Sequence, residues 1–179
     1  MFSRIKKEGK FVLSSGVKSN YNYDYSLLSD TMNEAYCSLL KQKLDVWQSK
    51  HGKFDVIVGC ETEGIRIGYV LSKLIDLPFY IMPKKSTDFA EAAIPPYPGD
   101  THWLIVDDIV TTGSTFMRAV NFLDIEEKPE SITYACMIKR KLENMDYSAV
   151  QGDPDKEQFH VRDERFGFID KRLVSLYSE

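Results

Sequence analysis

Apolar residues recur at helical spacing from Met32 through Tyr36, Leu39, Leu40 and Leu44 to Trp47. With Ser29 or Asp30 as N-cap and Asn33 and Glu34 in the first turn, that period predicts one long amphipathic helix. The pattern then shortens. "FDVIVGC", Phe54 to Cys60, is a continuous β-branched run of the kind buried in a parallel sheet, and "EGIRIGYVLSKLID" returns to helical spacing before Pro78. "FYIM", "HWLIVDD" and "SITYACMI" read as further strands, with a helix "TFMRAVNFLDI" between the last two. Strand and helix alternate from Phe54 to Ile138, which predicts an α/β fold with a parallel sheet and helices on both faces. In such sheets ligands bind beyond the carboxyl ends of the strands.

Two segments break the alternation. Residues 83–100, "PKKSTDFAEAAIPPYPGD", hold four of the seven prolines and little periodicity. A connection of that length within a compact domain points to a functional lid or a disordered segment. Residues 1–28 are mixed and rich in tyrosine among turn residues. Beyond Leu142 the chain is polar and acid-rich until "FGFIDKRLVSLY", which fits an added edge strand.

Composition narrows the class. A chain of 179 residues with 43% apolar side chains suits one domain with a real core, and a net charge of −4 argues against a polyanion-binding surface. Cys37, Cys60 and Cys136 are scattered and form no CxxC pair, which suits reduced thiols rather than a disulfide frame or zinc site. The start "MFSRIKKEGKF" has no apolar h-region and no segment approaches membrane-spanning length, so the expectation is a soluble cytoplasmic domain without nucleic-acid or membrane partners.

The chemistry concentrates in "LIVDDIVTTGST", Leu104 to Thr115. Adjacent carboxylates at a strand end repel one another unless a divalent cation or the vicinal hydroxyls of a sugar uses them. Small residues opening a helix expose backbone amides suited to an anion, and Gly113 permits close approach. A ligand with a phosphate at one end and a diol nearby satisfies both halves. No GxxxxGK[ST] occurs, so this is not a P-loop.

The stretch resembles the signature of type I phosphoribosyltransferases, and the resemblance extends over residues 10 to 140. It implies a Rossmann-like parallel sheet flanked by helices, with a small N-terminal hood (1–28), an α/β core (54–140) and a flexible lid loop (83–100). It further implies that Asp107 and Asp108 hold the ribose hydroxyls of phosphoribosyl pyrophosphate (PRPP) near a Mg²⁺ shell, and that Thr111, Thr112, Gly113, Ser114 and Thr115 cradle its 5′-phosphate. "VGCETEGIRIG" resembles the family's pyrophosphate loop, which brings in Glu61, Thr62 and Glu63, although several orotate-using members carry lysine where Glu63 stands. Lys84 and Lys85 at the lid's base would offset charge on departing pyrophosphate, and Asp108 joins them as a catalytic candidate.

"FVLSSGVKSNYNYD", Phe11 to Asp24, resembles the orotate phosphoribosyltransferase hood, with Ser14 in place of its lysine. Asn22 and Tyr23 would then touch the base beside Thr111, and Arg140 would meet the orotate carboxylate. The lid departs from the orotate pattern: Met82-Pro83 stands at its start, and no histidine occurs between His51 and His102. The resemblance thus implies a Mg²⁺-dependent transfer from PRPP to a nucleobase, orotate favoured, with release of pyrophosphate by a homodimer. The alternatives are a type I enzyme for another purine or pyrimidine, and a PRPP-binding regulator without turnover.

Overall fold

The computed structural model describes residues 1–13, 16–60, 62–83, 101–122, 132–140 and 172–179. Its centre is a five-stranded parallel sheet. The strands are β3 (Val56–Cys60), β4 (Phe79–Met82), β5 (Trp103–Val110), β6 (Ile132–Lys139) and β7 (Leu173–Ser178), in the order β4-β3-β5-β6-β7. β1 (Lys6–Val12) and β2 (Lys18–Tyr23) form a separate antiparallel hairpin. The helices are α1 (Asp30–His51), α2 (Glu63–Ile75) and α3 (Ser114–Phe122).

The apolar runs are continuous because both faces of the sheet are covered. Ile57, Leu104, Val106, Ala135, Met137 and Val174 face Cys37, Leu40 and Leu44 of α1 and Ile67 and Leu71 of α2. The intervening Val56, Val58, Ile105, Tyr134 and Cys136 pack on the other side with Phe116 and Ala119 of α3. Ser29 caps α1, its hydroxyl accepting from the Met32 N–H at 3.3 Å. Asp76 closes α2 in the left-handed region at φ 60°, a conformation that Asp tolerates better than most residues. The edge strand expected from "FGFIDKRLVSLY" is β7, paired with β6 through Ala135↔Val174.

Three glycines bring α2 against the sheet. A Cβ on Gly59 would stand 2.6 Å from the Gly64 carbonyl oxygen, and one on Gly68 would stand 2.6 Å from the Phe79 ring. One on Gly64 would lie 2.5 Å from the Val106 carbonyl oxygen and 3.1 Å from the Asp107 Cα. No larger residue fits at Gly64 without moving the helix start off β5.

One boundary differs from expectation. The apolar pattern ends β5 at the aspartates, yet the strand runs on to Val110, and Val110 pairs with Lys139. β6 continues alongside for the same length, and its neighbour at Arg140 extends the ladder with an N–H donated to the Val110 carbonyl at 2.8 Å. Asp107 and Asp108 therefore sit within the strand. Among the described residues no helix is long and apolar enough to cross a membrane.

Candidate active site

β3 feeds β4 on one side, while the chain returns through β5 on the other. The crevice between the carboxyl ends of β3 and β5 is therefore the switch point at which such sheets bind ligands. Gly64, in the first turn of α2, lies at that crevice against Asp107.

Asp107 is 6% exposed and Asp108 is half-buried. Each carboxylate accepts the backbone N–H of its successor: Asp108 N–H reaches Asp107 Oδ1 at 2.9 Å, and Ile109 N–H reaches Asp108 Oδ1 at 2.8 Å. These bonds orient the two side chains without neutralising them. Burial pushes the Asp107 carboxyl well above the ordinary carboxylate range, and the Asp108 charge adds to this; the Thr115 hydroxyl opposes it in part. Burial raises Asp108 as well. A fold that buries two adjacent acids favours a ligand that uses them.

Successive strand residues point to opposite faces. Asp107 turns toward α3, where Thr115 bonds it, whereas the charge of Asp108 is felt by Glu63 and Tyr25 on the α2 side. The two carboxyls nevertheless hydrogen-bond each other, so they form one acidic group at this point of the strand.

Thr111, Thr112, Gly113, Ser114 and Thr115 line a recess together with Asp107 and Leu13 from the hairpin tip. Gly113 has φ 78°, the left-handed conformation that a side chain would strain. Thr112 Oγ1 donates to Ser114 Oγ at 3.1 Å and accepts from the Ser114 N–H at 3.4 Å. The recess opens on the first amides of α3, which offer an anion N–H donors and the positive end of the helix dipole.

At the other bank, Thr62 precedes α2 without a side-chain capping bond, so its hydroxyl leaves the first amides of the helix uncovered. Glu63 follows. Its Oε2 is buried without a hydrogen-bond partner, and the Arg66 guanidinium stands 3.8 Å away. Arg66 spends Nη2 on the Leu28 carbonyl at 2.7 Å and on Asp30 at 2.8 Å. Burial, then the Asp108 charge, raises the Glu63 carboxyl.

The hairpin meets the sheet at Arg140, which is 3% exposed. Its Nη2 donates to the Ser19 hydroxyl at 2.8 Å and to the Tyr21 carbonyl at 3.1 Å, while its Nε is buried without a partner. Such an orphan donor costs about 1–3 kcal/mol unless a ligand acceptor meets it.

A model of the phosphoribosyl transferase domain matches residues 35–164, which include the paired acids, the Thr-Gly turn and Arg140. The chain belongs to this phosphoribosyl transferase family. The orotate phosphoribosyltransferase of Staphylothermus marinus is 29% identical over 122 residues, spanning 66% of this chain and 58% of that protein. The one from Pyrococcus abyssi is 31% identical over 121 residues, spanning 65% of each. The matched regions thus cover less than two thirds of the length of these relatives. The crystal structure of orotate phosphoribosyltransferase from Aeropyrum pernix shares the fold, with TM-score 0.63 at 21% identity over 98% of this chain and 89% of that one.

Within this phosphoribosyl transferase domain, the structure gathers Thr62, Glu63, Asp107, Asp108, Thr111–Thr115 and Arg140 at the carboxyl edge of the sheet. Asn22 and Tyr23 are separated by strand alternation. Tyr23 is buried on the Arg140 side, 5.9 Å from the guanidinium, and Asn22 points to the opposite face of β2. Glu61, Lys84 and Lys85 lie outside the described residues, as does Ser14.

The donor set suits Mg²⁺. Asp107, Asp108 and Glu63 Oε2 offer hard oxygen atoms, with the Arg66 guanidinium 3.8 Å from the last of these. Among the described residues no three His, Cys, Asp or Glu side chains close on one point. A cation here would take its remaining ligands from water and substrate oxygens, as Mg²⁺ usually does.

Sequence reasoning missed two contributors. Leu13 was legible only as part of the hood pattern, although it lines the recess at the start of α3. Glu179 carried no local signal; its carboxylate accepts from Tyr21 and Tyr23, 158 and 156 positions earlier.

Proposed function

We propose that this chain transfers the phosphoribosyl group of PRPP to orotate, releasing pyrophosphate and forming orotidine 5′-monophosphate. The observation that carries the reading is the two-ended crevice: buried Asp107 beside Asp108 at one end, and the amides and hydroxyls of Thr111–Thr115 at the other. The orotate phosphoribosyltransferases of Staphylothermus marinus and Pyrococcus abyssi support orotate as the base.

In this reading the 5′-phosphate rests on the first turn of α3, and the ribose hydroxyls donate to Asp107 and Asp108. Pyrophosphate lies over the amides that open α2, by Glu61, Thr62 and Glu63. Mg²⁺, held near Asp107 and Asp108 largely through water and substrate oxygens, would neutralise pyrophosphate oxygens when bound. The base enters beneath the hairpin beside Tyr23 and Arg140, with Thr111 at its margin; Asn22, on the opposite face of β2, does not reach it in this arrangement. Its ring nitrogen bonds to the anomeric carbon as the carbon–oxygen bond to pyrophosphate breaks. Positive charge on the ribose in between is stabilised by the two aspartates, and no protein nucleophile is required. Lys84 and Lys85 offset the charge of the departing pyrophosphate.

A base without a carboxylate is the second reading. It is favoured by Arg140, whose Nη2 is already engaged by Ser19 and Tyr21. Incubation of the purified chain with PRPP, Mg²⁺ and each of orotate, uracil, adenine, hypoxanthine and xanthine separates the two. Fastest consumption of orotate supports the proposal; preference for another base moves the assignment. PRPP binding with no turnover leaves a sensor instead of an enzyme.

A further inference from the structure

One carboxylate fastens the hairpin to the sheet. The hydroxyls of Tyr21 and Tyr23 donate to Glu179 Oε2 and Oε1, each at 2.6 Å. Glu179 follows β7, and its backbone N–H donates to the Lys139 carbonyl at 3.1 Å. The carboxylate therefore stands beside the end of β6, the strand that delivers Arg140. Lys6 lies 3.9 Å from Glu179 Oε1 and 4.0 Å from the centre of the Tyr21 ring. Burial and the bond to Glu179 raise both phenols above their ordinary range, which keeps them donors.

Arg140 depends on the same tyrosines. Its guanidinium carbon lies 4.3 Å from the centre of the Tyr21 ring and 5.9 Å from that of Tyr23, and Nη2 donates to the Tyr21 carbonyl. A guanidinium over an aromatic face is held electrostatically, but its angle follows the ring. Glu179 fixes both rings at their far ends. Arg140 Nε remains the buried donor without a partner.

We propose that Glu179 is a positioning residue of the base site: by holding the Tyr21 and Tyr23 hydroxyls, it sets the orientation in which Arg140 presents its unpaired donor to the base. This rests on the reading of the crevice as a phosphoribosyl transfer site with Arg140 on its base side. A fastening that served stability alone would loosen the fold without favouring one substrate over the other.

The test is steady-state kinetics with base and PRPP varied separately, together with calorimetric PRPP affinity. Glu179→Ala is expected to raise the base KM about tenfold, the scale of a lost hydrogen bond to a charged group, with Glu179→Gln in between. PRPP affinity stays within about twofold in both, because the phosphate and diol contacts lie on β5 and α3. Tyr21→Phe with Tyr23→Phe reproduces the rise, and adding Glu179→Ala to that pair adds nothing further. An unchanged base KM in Glu179→Ala overturns the proposal, as does an equal loss of PRPP affinity. If Glu179→Ala does not fold, an unchanged base KM in the double phenylalanine variant overturns it instead. A wild-type chain that turns over no base overturns the transfer reading and this one with it; an active wild type in which Glu179 is silent overturns this one alone.

Discussion

Gly64→Ala tests whether α2 and β5 form one site. The added Cβ would stand 2.5 Å from the Val106 carbonyl oxygen and 3.1 Å from the Asp107 Cα, both backbone atoms of a central strand. Contact with the oxygen is about 1 Å too short, and neither strand nor helix yields cheaply, so the expected destabilisation is about 2 kcal/mol. For a chain of this size that corresponds to a melting temperature lower by about 4–8 °C. The same displacement moves the amides that open α2 away from Asp107. A misplacement of ~1 Å between the two banks is enough to lower PRPP turnover by about 100-fold. Thermal melts and steady-state turnover measure the two effects, with PRPP calorimetry for affinity. Gly52→Ala is the control, because nothing lies within 4 Å of its Cβ although its φ of 96° is strained; it should lower stability by about 1 kcal/mol and leave PRPP binding intact. Stability and affinity both unchanged in Gly64→Ala would refute the close approach. Lost stability with unchanged PRPP binding and turnover would detach the α2 start from the site.

Asp107→Asn should stabilise the protein at neutral pH while harming function. Burial raises this carboxyl, so the folded state loses stability as pH rises from the ordinary carboxyl range through the raised value. The amide keeps an oxygen for the Asp108 N–H and removes the buried charge; each kcal/mol recovered would move the midpoint by about 2–4 °C. Melts across pH check the sign, since the gain should vanish on acidification. At the opposite edge of the sheet, Thr133 Oγ1 accepts from Trp47 Nε1 at 3.1 Å and lies 2.8 Å from His102 Nε2. Thr133→Val strands both partners and should cost about 1–3 kcal/mol by chemical denaturation, with PRPP affinity unaltered.

Much of this arrangement is legible in the chain itself. Val56–Cys60 and Ile132–Lys139 are buried on both faces, so their apolar runs are unbroken, and Ser29 marks the start of α1 by a side chain that caps it. The Asp-Asp and Thr-Gly elements are local, so order along the chain suffices to place them side by side. The proposed base side is assembled from distant pieces. Arg140 reads as a basic residue at a strand end, and only folding brings Ser19 and Tyr21 onto its guanidinium. Glu179 looks like any polar residue until β7 pairs with β6 and carries it to the tyrosines. The end of β5 is illegible for a similar reason, since it depends on the length of β6 rather than on its own polarity.

PRPP affinity before and after the paired substitution Asp107→Asn with Asp108→Asn tests the two-ended site most directly. Calorimetry in Mg²⁺ should show saturable binding by the wild-type chain and a loss of about 100-fold or more in the variant, as expected for two charged acceptors removed from a sugar diol. The variant's melting temperature should be at least that of the wild type. Equal PRPP affinity in the two proteins would contradict the assignment of the paired acids to the ribose.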